Sequence, residues 1–248
     1  MPGEKRQIVA FGGGGFSMES GNPLMDDYVL SLTGKQRPKV CFLPSASGDA
    51  DHYVVRFYRE FAGARAEASH ISLFRRGRSA VDLREHLLAQ DLIYVGGGSL
   101  VSLIGVWRAH GLDEILCEAW ERGIVLCGLS AGALCWFTDA LSAYNGPPQR
   151  VEGIGLLPWS FTAHWDAEPE RREEFERQLA AGMRPGYAAD DGAALHFVGL
   201  SLHAVVGSKR GVTGHSLRLS ESGVAAERID AEFLGSGLRE SAPELAVV

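Results

Sequence analysis

The sequence is short of cysteine, of long apolar runs and of positive charge, and each shortage closes off a class of protein. Its four cysteines, Cys41, Cys117, Cys127 and Cys135, lie in or beside apolar segments and form no C-x-x-C pair. Buried free thiols are therefore expected in place of disulfides or a zinc site. None of the eight histidines falls in an H-E-x-x-H or comparable metal spacing. No run approaches the roughly 18 apolar residues that a membrane-crossing helix needs. The opening MPGEKRQIVAFGGGGF has only a short apolar stretch before its glycines and lacks the core of a secretory signal. A formal net charge of -7 gives no electrostatic reason to expect nucleic acid or an anionic membrane as partner. Together these exclusions point to a cytoplasmic protein.

What is present is enough apolar material for a substantial core: 248 residues, 46% of them hydrophobic. With no internal repeat and no linker, residues 1–248 are expected to form one domain. Short apolar runs ending in glycine, proline or serine alternate with longer amphipathic stretches, the signature of an α/β sheet. Buried strands are expected at Gln7 to Phe11, Val40 to Leu43, Leu92 to Val95 and Ile124 to Cys127. Asp49 is placed to cap a helix through Phe61, and Ser99 to cap one that Gly111 interrupts. Later strands are expected around Phe161, Leu195 to Val198 and Ala204 to Val206. A helix from Pro169 to Gly182 has proline and glycine at its favoured ends. From about residue 220 the pattern weakens, and SAPELAVV reads as a tail.

Three glycine-rich turns end the buried strands. FGGGGFSMES invites a dinucleotide site, but the third glycine of G-x-G-x-x-G becomes Ser17 from Gly12, or Met18 from Gly13. A tight strand-end loop beside an active cleft is the better reading. In YVGGGSL, Gly98 precedes a helix and presents a free amide. In CGLSAGA, Ser130 stands between Gly128 and Gly132 in the G-x-S-x-G pattern of a nucleophile elbow. If the two strands are parallel neighbours, the amides of Gly98 and Ala131 converge on one oxyanion while Ser130 attacks.

A serine nucleophile needs an imidazole base and a group to orient it. His164 ends an apolar segment and is preferred to His196, His203 and His215. Those upstream, His52, His70, His86 and His110, read as surface or packing residues. For the orienting acid the choices are Asp166, Glu168, Asp190 and Asp191, and Asp191, in the loop before a strand, is preferred. The order Ser, His, Asp is not that of an ordinary α/β-hydrolase.

CFLPSAS, IYVGGGS, CGLSAGA, GLLPWSFTAHW and DDGAAL, in this order across about residues 7 to 210, resemble the landmarks of the peptidase E (aspartyl dipeptidase) family. The resemblance implies the fold of class I glutamine amidotransferase-like proteins: a flavodoxin-like three-layer sandwich, mainly parallel, with helices on both faces. It implies Ser130 as nucleophile, His164 as base, Gly98 and Ala131 as oxyanion donors, and the acid before Gly192 as third member. In the best-known members that acid is glutamate, whereas Asp191 is one methylene shorter. It also implies small peptides with N-terminal aspartate as substrates, no cofactor, and Arg171 and Arg172 as candidates for substrate binding. The alternatives on the same fold are a cyanophycinase-like or other amide hydrolase, and a non-catalytic relative that binds a small ligand. Hydrolases of this size and acidity are often dimers, so a homodimer is a further expectation.

Overall fold

The computed structural model describes residues 6–75, 81–221 and 223–235. In chain order the elements are β1 (Gln7–Phe11), α1 (Leu24–Ser31), β2 (Lys39–Leu43), α2 (Asp51–Phe61), β3 (Glu67–His70), α3 (Leu83–Leu88), β4 (Leu92–Val95), α4 (Leu100–His110), α5 (Leu112–Glu121), β5 (Val125–Leu129) and α6 (Ala131–Leu134). They continue with β6 (Phe137–Ser142), β7 (Gln149–Glu152), β8 (Leu157–Thr162), α7 (Pro169–Ala180), β9 (Gly186–Ala189), β10 (Ala193–Val198), β11 (Ser201–Gly207), β12 (Thr213–Ser220), β13 (Gly223–Asp230) and β14 (Glu232–Phe233).

Eight strands form one sheet in the order β14-β11-β10-β1-β5-β4-β2-β3. From β1 to β3 the pairings are parallel, while β10 enters antiparallel between β1 and β11. The parallel strands are apolar at consecutive positions because both faces are covered. Ile8, Cys41, Ile93 and Leu126 point into one core, and Val9, Phe42, Tyr94 and Cys127 into the other. Residues from α1 and α2 close the second of these cores with a cluster of aromatic rings centred on Phe16, Phe42 and Phe57.

The other face departs from the expected three-layer sandwich. Helices α3 to α6 cover part of it, but a second, six-stranded sheet, ordered β13-β12-β9-β8-β6-β7, packs into the same core through Phe137, Leu157 and Phe161. This sheet is mixed: β6, β8 and β9 are parallel, and β7, β12 and β13 join antiparallel. Of these strands the sequence marks only the one around Phe161, and periodicity carries no information on which sheet a strand joins, because pairing is non-local.

The weakly patterned region is likewise more regular than expected. Thr213–Ser220 and Gly223–Asp230 pair antiparallel as β12 and β13, and the outer strand is largely exposed and so shows no apolar alternation. The SAPELAVV segment lies outside the described residues. Ser99 caps α4 through its hydroxyl, Gly111 takes a left-handed φ of 66° between α4 and α5, and Pro169 opens α7. Asp49 is not a cap: its side chain accepts the Phe74 amide instead, and α2 starts after Ala50.

Candidate active site

Ser130 follows the last residue of β5 with φ 50° and ψ -119°, a conformation that non-glycine residues seldom adopt. Its hydroxyl does not cap α6. The flanking glycines explain how so sharp a turn fits. A Cβ on Gly128 would meet the Gly132 carbonyl oxygen at 2.2 Å, and one on Gly132 would meet that of Val95 at 2.2 Å. Strand, turn and helix thus touch backbone to backbone, leaving the serine hydroxyl half-exposed at the carboxyl end of β5. The β4–β5 pairing is parallel, so Gly96 to Gly98 end their strand beside it.

His164 arrives from the other sheet, two residues after β8, also with positive φ at 57°. Its amide donates to the Gly12 carbonyl at 3.1 Å, which ties the second sheet to the loop after β1. His164 Nε2 lies 3.0 Å from Ser130 Oγ, and Nδ1 lies 2.5 Å from Asp191 Oδ1. A carboxylate only accepts, so Nδ1 carries the hydrogen and Nε2 accepts the serine hydroxyl.

Asp191 sits in the turn between β9 and β10, the crossing from one sheet to the other. Its amide donates to Asp166 Oδ1 at 2.8 Å. The adjacent Asp190 is turned away, with Oδ2 accepting the amide and hydroxyl of Thr213 at 2.9 and 2.7 Å. Of the four acids weighed in the sequence, Asp191 therefore meets the imidazole, Asp166 holds the backbone of Asp191, and Glu168 pairs with Arg171. Among the rival histidines, His196 bonds Tyr28 and Gln7, and His215 bonds Thr213.

The segment carrying Ser130, His164 and Asp191 coincides with a known family profile: residues 8–205 match Peptidase family S51. The chain belongs to this family. It is therefore a serine-type peptidase, and its substrate is a peptide. Peptidase YgaJ of Bacillus subtilis strain 168, itself uncharacterized, is 41% identical over 231 residues, which is 93% of this chain and 100% of that protein. Peptidase E of Pasteurella multocida strain Pm70 is 24% identical over 192 residues, covering 71% of this chain and 77% of its own. Among solved structures, a peptidase from an acI-B1 actinobacterium aligns with TM-score 0.68 at 19% identity, over 91% of this chain and 94% of that one. A putative peptidase E from Listeria monocytogenes EGD-e aligns with TM-score 0.56 at 16% identity, over 91% and 99%. Both structures share the fold.

In this S51 peptidase a cavity of about 330 Å³ opens beside Ser130 and His164, with Gly97, Gly98 and Leu129 in its wall. Gly98 adopts φ 139°, and a Cβ there would meet the Ala46 carbonyl oxygen at 2.2 Å. Ala131 is the first residue of α6, where an amide has no intrahelical acceptor.

The structure does not bring Arg171 and Arg172 into this cavity. Arg171 is buried and bonds Glu168 and the Leu141 carbonyl, so it fastens α7 to β6. Arg172 donates to the Trp165 carbonyl at 2.8 Å and lies over the indole ring. Instead α2 supplies His52, Tyr53 and Arg56 to the lining, and the β6–β7 loop supplies Tyr144. Tyr53, spaced for the core, does double duty, since its hydroxyl accepts the Gly97 amide at 3.1 Å. The one signal that would have found this group is the i to i+4 spacing of His52 and Arg56 on a helix entering from a strand end.

Beneath the cavity, Asp26 is fully buried and accepts the Tyr94 hydroxyl at 3.2 Å. Burial pushes its carboxyl up to about 7, against the opposing pull of Arg65 and Tyr94. Burial likewise raises Tyr53 and Tyr94, so both phenols stay neutral donors.

Proposed function

We propose that this S51 peptidase cleaves small peptides through a Ser130–His164–Asp191 triad and an acyl-enzyme. The observation that carries the reading is the unbroken hydrogen-bond chain from Ser130 Oγ through both imidazole nitrogens to Asp191 Oδ1. His164 takes the serine proton as Oγ attacks the scissile carbonyl, then gives that proton to the leaving amine. Water then enters, deprotonated by the same imidazole, and releases the acid. Asp191 holds the tautomer and offsets the charge of the imidazolium. Gly98 and Ala131 amides donate to the tetrahedral oxyanion, each contributing on the order of 10² to 10³ in turnover.

A cavity of about 330 Å³ suits a substrate of two or three residues. The resemblance to peptidase E favours dipeptides with N-terminal aspartate. A fluorophosphonate probe tests the triad. Labelling at Ser130 is expected, with its loss in His164→Ala, and Ser130→Ala should lower turnover about 10⁶-fold. Equal turnover in wild type and Ser130→Ala would overturn the mechanism. A panel of Asp-X, Glu-X, Asn-X and β-aspartyl dipeptides tests the substrate.

A further inference from the structure

The lining of the Ser130 cavity has an unusual charge balance for this chain. The protein carries 31 acidic against 24 basic residues, yet no aspartate or glutamate lines the cavity, and one arginine, Arg56, does. Arg56 projects from α2 on the same face as His52, one turn earlier. It donates through Nη1 to the Ser17 carbonyl at 3.2 Å and pairs with no carboxylate among the described residues. The acids nearest to it on α2 are engaged elsewhere, Asp51 by Arg75 and Glu60 by Arg65.

A guanidinium has five N–H donors in a rigid fork. Here one is used to fix the side chain against the loop after β1, which leaves the fork to meet an anion. A planar bidentate donor matches a carboxylate. With Arg171 and Arg172 committed to Glu168 and Trp165, no other arginine or lysine lines the cavity beside the nucleophile.

We propose that Arg56 is the specificity-determining residue of this cleft and binds a carboxylate of the peptide substrate. The inference rests on the catalytic reading of Ser130 above. That carboxylate belongs to an acidic side chain or to the C-terminus of a very short peptide, and both present the same chemistry to the fork.

The test measures kcat and KM for wild type, Arg56→Gln and Arg56→Lys on three matched peptides: Asp-Leu, Asn-Leu and Asp-Leu amide. Wild type is expected to favour the peptide bearing the recognised carboxylate over its neutral counterpart by roughly 10- to 100-fold in kcat/KM, mostly through KM. Arg56→Gln should erase that preference, and Arg56→Lys should restore part of it. Collapse of Asp-Leu over Asn-Leu assigns the side chain, and collapse of Asp-Leu over its amide assigns the terminus. If Arg56→Gln changes all three peptides by the same factor, or none, the proposal falls. Wild-type labelling by a fluorophosphonate, run alongside, reports on Ser130 without any peptide. Labelling together with an unchanged preference removes Arg56 alone, whereas absence of labelling removes the catalytic reading and this inference with it.

Discussion

Ser130 and His164 are two of the three non-glycine residues with positive φ among the described residues, and they are the two whose side chains meet. Such conformations cost of order 1–3 kcal/mol each, and here both are held by backbone contacts, of Ser130 N with Phe11 O and of His164 N with Gly12 O. At this scale the meeting of these two side chains was legible: G-x-S-x-G and a histidine closing an apolar run are chemical signals. The arginine that lines the cavity was not, because RREE and VVRFYRE look alike as solvated helix faces. What separates Arg171 from Arg56 is the partner: a carboxylate, Glu168, for one, and only the Ser17 carbonyl for the other among the described residues.

Asp191→Asn should preserve the fold and lower kcat about 10⁴-fold by favouring the wrong imidazole tautomer. A kcat within tenfold of wild type would show that Asp191 does not orient the base. Asp26 gives a stability prediction. Its folded-state value, about 7 against an ordinary 3.8, means that the folded protein keeps a proton the unfolded chain has already released. Stability therefore falls as pH rises from about 4 to about 7, by something on the order of 4 kcal/mol. His196, lowered by burial to about 4, acts in the opposite sense and costs stability as pH falls below about 6.5. The difference between Asp26→Asn and wild type in urea unfolding isolates the first effect. It should grow in favour of the variant from pH 4.5 to pH 8, and parallel curves would mean that Asp26 is not protonated in the fold.

At the scale of elements, the four-glycine turn after β1 serves the site by omitting side chains. A Cβ on Gly13 would lie 2.0 Å from Asp191 Oδ1 and 3.1 Å from His164 Cε1, whereas one on Gly12 would meet backbone, the Asp190 carbonyl oxygen at 2.3 Å. Gly13→Ala should therefore keep the circular dichroism spectrum of wild type while losing turnover at least 10²-fold, since it displaces a triad member. Gly12→Ala should lower thermal stability, because backbone cannot swing aside. Wild-type turnover in Gly13→Ala would remove the turn from the catalytic geometry. The sequence placed this loop beside the cleft, because a glycine run at the end of a buried strand is readable. That the glycines make room for an aspartate nearly 180 positions later is not, since close approach leaves no local pattern.

For the molecule as a whole, β1, β2, β4 and β5 of the larger sheet were legible because strands buried on both faces read as unbroken apolar runs, whereas the edge strand β3, with the sequence EASH, was not. Of the second sheet only β8, around Phe161, was legible, since β7 and β13 are exposed strands whose partners decide their conformation. Thiol chemistry follows from the same burial. All four cysteines are free, and of them Cys117 alone is partly exposed. An aromatic disulfide reagent should modify about one thiol per native chain and all four after denaturation, with Cys117→Ser abolishing the native reaction. Rapid modification of several thiols in the native state would contradict the packing.

The proposed triad draws its serine from the larger sheet, its histidine from the smaller, and its aspartate from the turn between β9 and β10, whose later strand slots between β1 and β11. During synthesis on the ribosome, Ser130 and His164 emerge well before the residues that bring them into register. Assembly of the proposed triad therefore waits for β9 and β10, the pair of strands that carries the chain from the smaller sheet into the larger.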